Sequence, residues 1–386
     1  MSLLAEALSA LHAHADAALT LLEQLVRVNS HSGNVHGVNA VGTLLSDRLR
    51  GLPLDRTVSA DAQGVAHLSF ATQAAATEKS VLLIGHHDTV FPPGEFEGFE
   101  VRGDLAHGPG VLDMKGGLAL IVQVLSALHD VGLLARLPIR FVSVGDEETG
   151  SQGSRALLAA LAEQARCGLV FEAGRAGDAI ITARRGSGQA RVSARGRAAH
   201  AGNALAEGRS AIWALAKFVD RVLSDNGRIP GASVSVGIIA GGTARNTVPE
   251  QAAAELDLRF SDEAGKRAVE QLLADAAREA TAEIDGTHIE IVPGSARLPW
   301  PRNAPSAALC ARYAVAARAA GLGDAEAPLI GGGSDANTVG SLGLPTIDGL
   351  GPRGRGFHTK DEQVSLSSLP LKAEALLRFL LTELTA

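Results

Sequence analysis

The chain has 386 residues, 46% apolar and 20% charged, and its 42 acidic against 35 basic side chains give a formal net charge of -7. That mix excludes a disordered, collagen-like or coiled-coil chain, and the acidic balance argues against a nucleic-acid partner. At about 150 residues per domain the length predicts two or three domains, and the 44 glycines ask for tight turns or for backbone that passes close to something.

Residues 1–28 carry Glu6, Asp16 and Glu23 among apolar residues and have no basic leader. They predict an amphipathic helix, not a signal peptide. No run reaches the roughly 18 apolar residues of a membrane span. Cys167 and Cys310 stand far apart and read as small buried hydrophobes of a reducing compartment. These features point to the cytoplasm and away from a membrane.

Apolar runs then predict strands over 65–70, 80–85, 137–144 and 168–171, with helices over 117–127 and 152–165. The alternation predicts βαβ units: an α/β domain with a mostly parallel sheet and helices on both faces. Ligands in such sheets lie beyond the carboxyl ends of the strands. The texture changes near Arg184-Arg185-Gly186. An alternating strand over 189–196 is followed by a helix over 208–223, with Ile212, Leu215, Val219 and Val222 on one face. Two strands over 233–239 and 252–260 come next. A helix from Ser261 turns Val269, Leu272, Leu273 and Ala276 inward, and a last strand covers 287–292. The order βαββαβ predicts a separate α+β domain over 186–297, inserted into a discontinuous domain of 1–185 and 298–386. Pro299-Trp300-Pro301 marks the re-entry, and a strand over 346–350 rejoins the first domain.

Five short stretches carry chemistry. In Gly85-His86-His87-Asp88-Thr89, residues two apart share a face, so Asp88 can orient His86 as a metal ligand; a plain surface turn is the bland alternative. Asp113 sits among Gly108, Gly110, Gly116 and Gly117, where it could also cap a helix. Asp146-Glu147-Glu148 follows a buried strand, and like charges crowded there need cations. Glu172 follows another strand, and His358 stands in Gly356-Phe357-His358-Thr359, with Asp361 and Glu362 close behind. Each stretch alone is weak. Together His86, Asp113, Glu148, Glu172 and His358 are nitrogen and oxygen donors without a thiolate, which suits Zn²⁺ and also Mn²⁺ or Co²⁺. Five are too many for one tetrahedral ion. They fit two ions sharing one carboxylate, an arrangement that serves hydrolysis.

At this point the chain resembles a known family. The segments are Gly85-His86-His87-Asp88-Thr89-Val90, Gly110-Val111-Leu112-Asp113-Met114-Lys115-Gly116-Gly117, Asp146-Glu147-Glu148-Thr149-Gly150-Ser151, His200-Ala201-Gly202, Asn246-Thr247-Val248-Pro249, Gly331-Gly332-Gly333-Ser334-Asp335-Ala336 and Phe357-His358-Thr359. In that order, over essentially the whole chain, they resemble the M20 family of dinuclear metallopeptidases, most closely its glutamate carboxypeptidase branch. The resemblance implies a zinc-exopeptidase-like catalytic domain and an inserted lid and dimerisation domain. It implies that Asp113 bridges two divalent ions, with His86 and Glu172 completing one site and Glu148 and His358 the other. Asp88 orients His86. Glu147 is the general base for the metal-bridging water and later protonates the leaving amine. His200 is implied as the oxyanion donor, reaching in from the partner subunit of a homodimer. Arg259 and Asn246 would hold the substrate's carboxylate end, with Arg297 a further contact. Glu172, where other branches carry Asp, and Gly331-Gly332-Gly333-Ser334-Asp335 favour the carboxypeptidase branch over the desuccinylases and acetylornithine deacetylases.

The expected protein is therefore a cytoplasmic di-zinc metallo-exopeptidase, a carboxypeptidase that cleaves the amide bond before a C-terminal amino acid such as glutamate. Its substrate would be a small peptide or an N-acyl amino acid. An N-acyl-amino-acid amidohydrolase of the same family is the alternative. A non-catalytic scavenger is disfavoured because Glu147 and all five ligands are intact. Arg353-Gly354-Arg355 reads as a solvated turn, with contact to an acidic substrate as the other option.

Overall fold

The computed structural model describes residues 2–385. The chain forms two compact units, one of Met1–Ala183, Arg302–Ile330 and Ser334–Ala386, the other of Arg184–Pro301 with Gly331–Gly333. It enters through helices α1 (Leu3–Ala13) and α2 (Ala15–Val26). The single amphipathic helix expected over 1–28 is thus two, broken at His14, which leaves helical geometry at φ −90° and ψ 1°. Helix α3 (Val35–Leu49), strands β1 (Leu54–Ala60), β2 (Ala66–Thr72), β3 (Ser80–His86), β4 (Glu100–Arg102) and β5 (Leu105–His107), helix α4 (Gly116–Asp130), strand β6 (Ile139–Val144), helix α5 (Arg155–Glu163) and strand β7 (Ala165–Val170) complete the first pass. The second unit runs β8 (Gly186–Arg195), β9 (Ala199–His200), α6 (Ala211–Asp225), β10 (Ala232–Gly241), β11 (Thr247–Val248), β12 (Gln251–Phe260), α7 (Glu263–Glu283) and β13 (His288–Arg297). The return to the first unit supplies α8 (Ala304–Ala319), α9 (Asp335–Ser341), β14 (Thr346–Ile347), β15 (Gly354–Arg355), β16 (Gln363–Ser365) and α10 (Ser368–Thr385).

The first unit is built on a six-stranded sheet of order β1-β2-β6-β3-β7-β14. Strands β6, β3, β7 and β14 are parallel, and β1 and β2 add an antiparallel edge. This is the mostly parallel α/β sheet that the strand–helix alternation predicts. All seven residues of β3 are buried, as a strand covered on both faces requires. Parallel strands place their carboxyl ends along one edge, so the segments after β3, β6 and β7 emerge side by side. A smaller sheet, β15-β16-β5-β4, braces the turns around residues 110 and 358.

Helix α4 is buried from Gly116 through Leu128, the mark of a core helix that is apolar all round. Residues Val111–Asp130 do reach the length and hydropathy of a membrane helix, contrary to the expectation that no run would. The apolar window is wholly buried inside the protein, so its apolarity serves the core. Helix α10 packs on α4 and α8. Helix α5 starts at Arg155, three residues later than expected over 152–165, because the Asp146 carboxylate takes the N–H groups of Gly153 and Ser154.

In the second unit an antiparallel sheet, β10-β12-β8-β13, carries α6 and α7 on one face. Ser210 and Asp262 start the two helices by accepting the N–H groups of Trp213 and Gly265. The buried stripe of α6 is Ala211, Ala214, Leu215, Phe218 and Val222. Ile212, expected on the inner face, stands one step round the helix from that stripe and is 43% exposed.

Candidate metal centre

Three strand ends and two loops of the first unit bring six acidic or imidazole side chains together. His86 ends β3. Its Nδ1 lies 3.1 Å from the Asp88 carbonyl and 3.4 Å from the Asp88 carboxylate. That contact leaves Nε2 facing Asp113 Oδ1 at 3.3 Å and Glu172 Oε1 at 3.7 Å. On the other side of Asp113, Oδ2 faces His358 Nε2 at 3.3 Å, and the same nitrogen lies 3.2 Å from Glu148 Oε2. Asp113 therefore stands between two imidazoles, with one oxygen turned to each. Donor atoms of His86, Asp113 and Glu148 lie within 4.8 Å of one another, as do those of His86, Glu147 and Glu172.

The backbone explains the presentation. Gly110 takes φ +72°, and a Cβ there would meet Thr89 Cγ2 at 2.5 Å, so only glycine opens the turn that carries Asp113. His358 takes φ +62°, rare for a side chain of its size and typical of residues held in place at functional sites. The three carboxylates 146–148 part company. Asp146 turns back to cap the start of α5, accepting from Ser154 Oγ at 2.6 Å and Gly153 N at 2.7 Å. Glu147 and Glu148 stay with the cluster, their N–H groups donated to the two Asp88 oxygens at 3.1 Å each.

The electrostatics follow from burial. Burial pushes the Glu148 carboxyl up to about 7 and that of Glu172 up to about 8. Burial also pushes Asp113 up, but His358 and His86 outweigh it and hold that carboxyl below its ordinary range. Asp113 and Glu148 in turn hold the His358 imidazole up at about 10. Buried carboxylates of this kind call for positive charge in their charged forms. Two imidazoles and several carboxylates, with no thiol among them, are a donor set that fits hard or borderline divalent cations. A further grouping, Asp61, His67 and Asp146, is occupied otherwise. Asp61 accepts from Gln63 and Val65, Asp146 from Gly153 and Ser154, and His67 Nδ1 from Gly145.

The remaining expected site residues lie in the second unit. His200 on β9 pairs with Thr247 on β11, next to Asn246, whose carbonyl accepts from Ala201 N at 2.9 Å. The His200 Nδ1 accepts the N–H groups of Gly202 and Asn203, both at 3.1 Å, which leaves the ring's other nitrogen as the N–H donor. Arg259 and Arg297 flank Ser187 from the strands on either side, on the sheet face opposite the helices. The Arg259 fork is engaged by Asp257 at 2.7 and 2.9 Å, and Arg297 is buried.

Some supporting residues had no counterpart in the sequence reading. Ser32 donates its hydroxyl to Asp88 at 2.7 Å. Lys115 is fully buried and donates to the Val28 carbonyl at 3.2 Å, with burial pushing its ammonium down to about 7. Glu362, noted only as a neighbour of His358, turns its buried carboxylate to the turn holding Asp113. Arg353, expected in a solvated turn or at an acidic substrate, grips the buried Asp178 with its half-exposed fork, while Gly354 and Arg355 beside it are exposed; Asp178 also pairs with Lys372 at 3.2 Å.

The model of peptidase family M20/M25/M40 matches residues 82–382. Carboxypeptidase G2 of Pseudomonas sp. (strain RS-16) is 29% identical over 361 residues, 92% of this chain and 86% of the relative. A succinyl-diaminopimelate desuccinylase of Bradyrhizobium sp. (strain BTAi1) is 28% identical over 379 residues, 91% of this chain and 95% of the relative. Among solved structures, a tripeptidase from Staphylococcus aureus shares the fold with a TM-score of 0.81 at 24% identity, over 95% of this chain and 97% of that one.

Proposed function

Because the chain belongs to peptidase family M20/M25/M40 and is a metal-dependent hydrolase, we propose that it is a carboxypeptidase releasing a C-terminal amino acid, glutamate first among the candidates. The observation that carries the reading is Asp113, whose two oxygens face His86 and His358 at 3.3 Å each. A carboxylate so placed would be shared by two ions, with His86 and Glu172 completing one site and Glu148 and His358 the other. Zn²⁺ is the preferred ion, and Mn²⁺ or Co²⁺ suits the same donors. When bound, such a pair polarises the scissile carbonyl and makes water acidic enough to attack at neutral pH.

The chain's own groups would do the rest. Asp88 fixes the His86 ring and the backbone of Glu147 at once. Glu147, buried beside the donors, would take the proton of the attacking water and return it to the leaving amine. His200 would donate its free ring N–H to the developing oxyanion, supplied by the partner subunit of a cytoplasmic homodimer formed through the second unit. Arg259, Arg297 and Asn246 would receive the substrate's carboxylate end, Arg259 exchanging Asp257 for it. The planar guanidinium fork suits both partners.

The second reading is an N-acyl-amino-acid amidohydrolase, favoured by the desuccinylase relatives at 28% identity. A screen over dipeptides and N-acyl amino acids with varied C-terminal residues, run on chelated and metal-reloaded protein, separates the two. Metal-dependent release of C-terminal glutamate is expected. Selection of the acyl group whatever residue follows it would move the chain to the deacylases. Full activity after chelation and dialysis would overturn both readings.

A further inference from the structure

Glu362 is fully buried and stands outside the donor set described above. Its Oε1 accepts the backbone N–H groups of Leu112 and Asp113, both at 2.9 Å, and its Oε2 accepts that of Gly110 at 3.0 Å. All three donors belong to the turn that presents Asp113. Glu362 also closes the turn that carries His358. Its own N–H donates to the Thr359 carbonyl at 3.1 Å, and the Thr359 N–H donates to Gly356 at 2.9 Å. Strand β16 begins at the next residue and pairs Gln363 with His107 of β5. One residue thus joins two loops, its carboxylate holding the turn at Asp113 and its backbone N–H closing the turn after His358, with Asp113 and Glu362 249 residues apart.

Neither loop is held by regular structure at its key residue. Asp113 has φ −116° and ψ 92°, outside helical geometry, and His358 has φ +62°. A carboxylate accepting several N–H groups makes strong, charge-assisted bonds. Groups that orient metal ligands from behind commonly govern how well the ion is held.

We propose that Glu362 is a positioning residue that sets Asp113 against His358, and so determines how tightly the second of two metal ions binds. This rests on the dinuclear reading above. Glutamine at 362 keeps the shape but offers one acceptor oxygen, so its amide nitrogen must face either Gly110 or the Leu112 and Asp113 pair. Aspartate at 362 withdraws the carboxylate from all three donors by one methylene.

The test uses the full chain, stripped of metal and titrated with Co²⁺, with stoichiometry read by equilibrium dialysis and geometry by visible absorption. Wild type is expected to bind two ions. Glu362→Gln and Glu362→Asp are each expected to weaken the second by about 10- to 100-fold and to shift its absorption band. Far-UV circular dichroism of the metal-free variants shows which have folded. In metal-free wild type the Leu112 and Asp113 amides are expected to be protected from hydrogen exchange, a readout that needs no variant. A folded variant with wild-type affinity and spectrum overturns the proposal and leaves the dinuclear reading standing, even if its melting temperature falls. Unprotected amides in wild type do the same. Wild type that binds fewer than two ions overturns the dinuclear reading, and the proposal with it.

Discussion

Replacing Asp88 by asparagine is the sharpest probe of the centre, because the change keeps the shape while removing the charge and turning one acceptor oxygen into an NH₂ donor. Asp88 is completely buried. Its Oδ1 takes the Glu147 N–H at 3.1 Å, and its Oδ2 takes the Glu148 N–H at 3.1 Å and the Ser32 hydroxyl at 2.7 Å. An asparagine has one acceptor oxygen. Its less costly orientation keeps that oxygen toward Glu148 and Ser32 and turns the NH₂ toward the Glu147 N–H. One charge-assisted bond is then lost and one buried donor is stranded, each worth on the order of 1–3 kcal/mol. Relief from burying a charge offsets part of this, so a net loss of about 2 kcal/mol is expected, roughly 30-fold in the folding equilibrium. The stranded N–H belongs to Glu147, so kcat should fall while KM holds. Urea unfolding of metal-free Asp88→Asn and steady-state kinetics of the reloaded protein read the two effects. An unchanged midpoint together with an unchanged kcat would refute the account of Asp88 as the residue that anchors Glu147.

Three further outcomes are expected. Glu147→Ala should lower turnover by about 10²- to 10⁴-fold and retain its metal by elemental analysis; lost metal would place Glu147 among the ligands instead. Gly117→Ala should lose about 1–3 kcal/mol, because its Cβ would meet the Phe171 carbonyl oxygen at 2.4 Å, next to Glu172; a wild-type melting temperature would contradict this. Burial pushes the Asp178 carboxyl up, but Arg353, Lys372 and the Gly323 N–H outweigh it and hold it down to about 2. Because the folded value lies below the unfolded one, this stabilisation is present above about pH 4 and is lost as pH falls through about 2. At neutral pH it is on the order of 2 kcal/mol. The stability gap between wild type and Asp178→Asn should therefore narrow between pH 4 and pH 2, and a gap independent of pH would count against the ion cluster.

The sequence speaks most clearly where an apolar run stops at a polar residue. β3 and β7 end beside His86 and Glu172 for that reason, and parallel pairing then sets them side by side. Strands β4 and β15 leave no such mark, since all their residues are exposed and they have no apolar periodicity. The run Asp146-Glu147-Glu148 reads as one crowd of charge, yet a single turn sends Asp146 to a helix cap and the other two to the centre. Contacts between distant segments are the hardest to read. Nothing near Ser32 announces a partner 56 residues away, and nothing near Arg353 announces one 175 residues away. A side chain's type limits what it can bond, but only the closed backbone selects the partner.

The interruption of the first unit also bears on when the centre can exist. His86, Asp113, Glu148 and Glu172 all precede the inserted unit, and His358 follows it. At about 5–20 residues per second of synthesis, the intervening stretch takes on the order of 10–40 s to emerge. Until then four buried-type donors are held without the last, and α10, which seals the core behind them, has not been made. A nascent chain in that interval has a half-built binding face and an open hydrophobic floor. Capture of ions by the full proposed donor set would thus wait for His358, and a chain ended before that residue would lack the last donor.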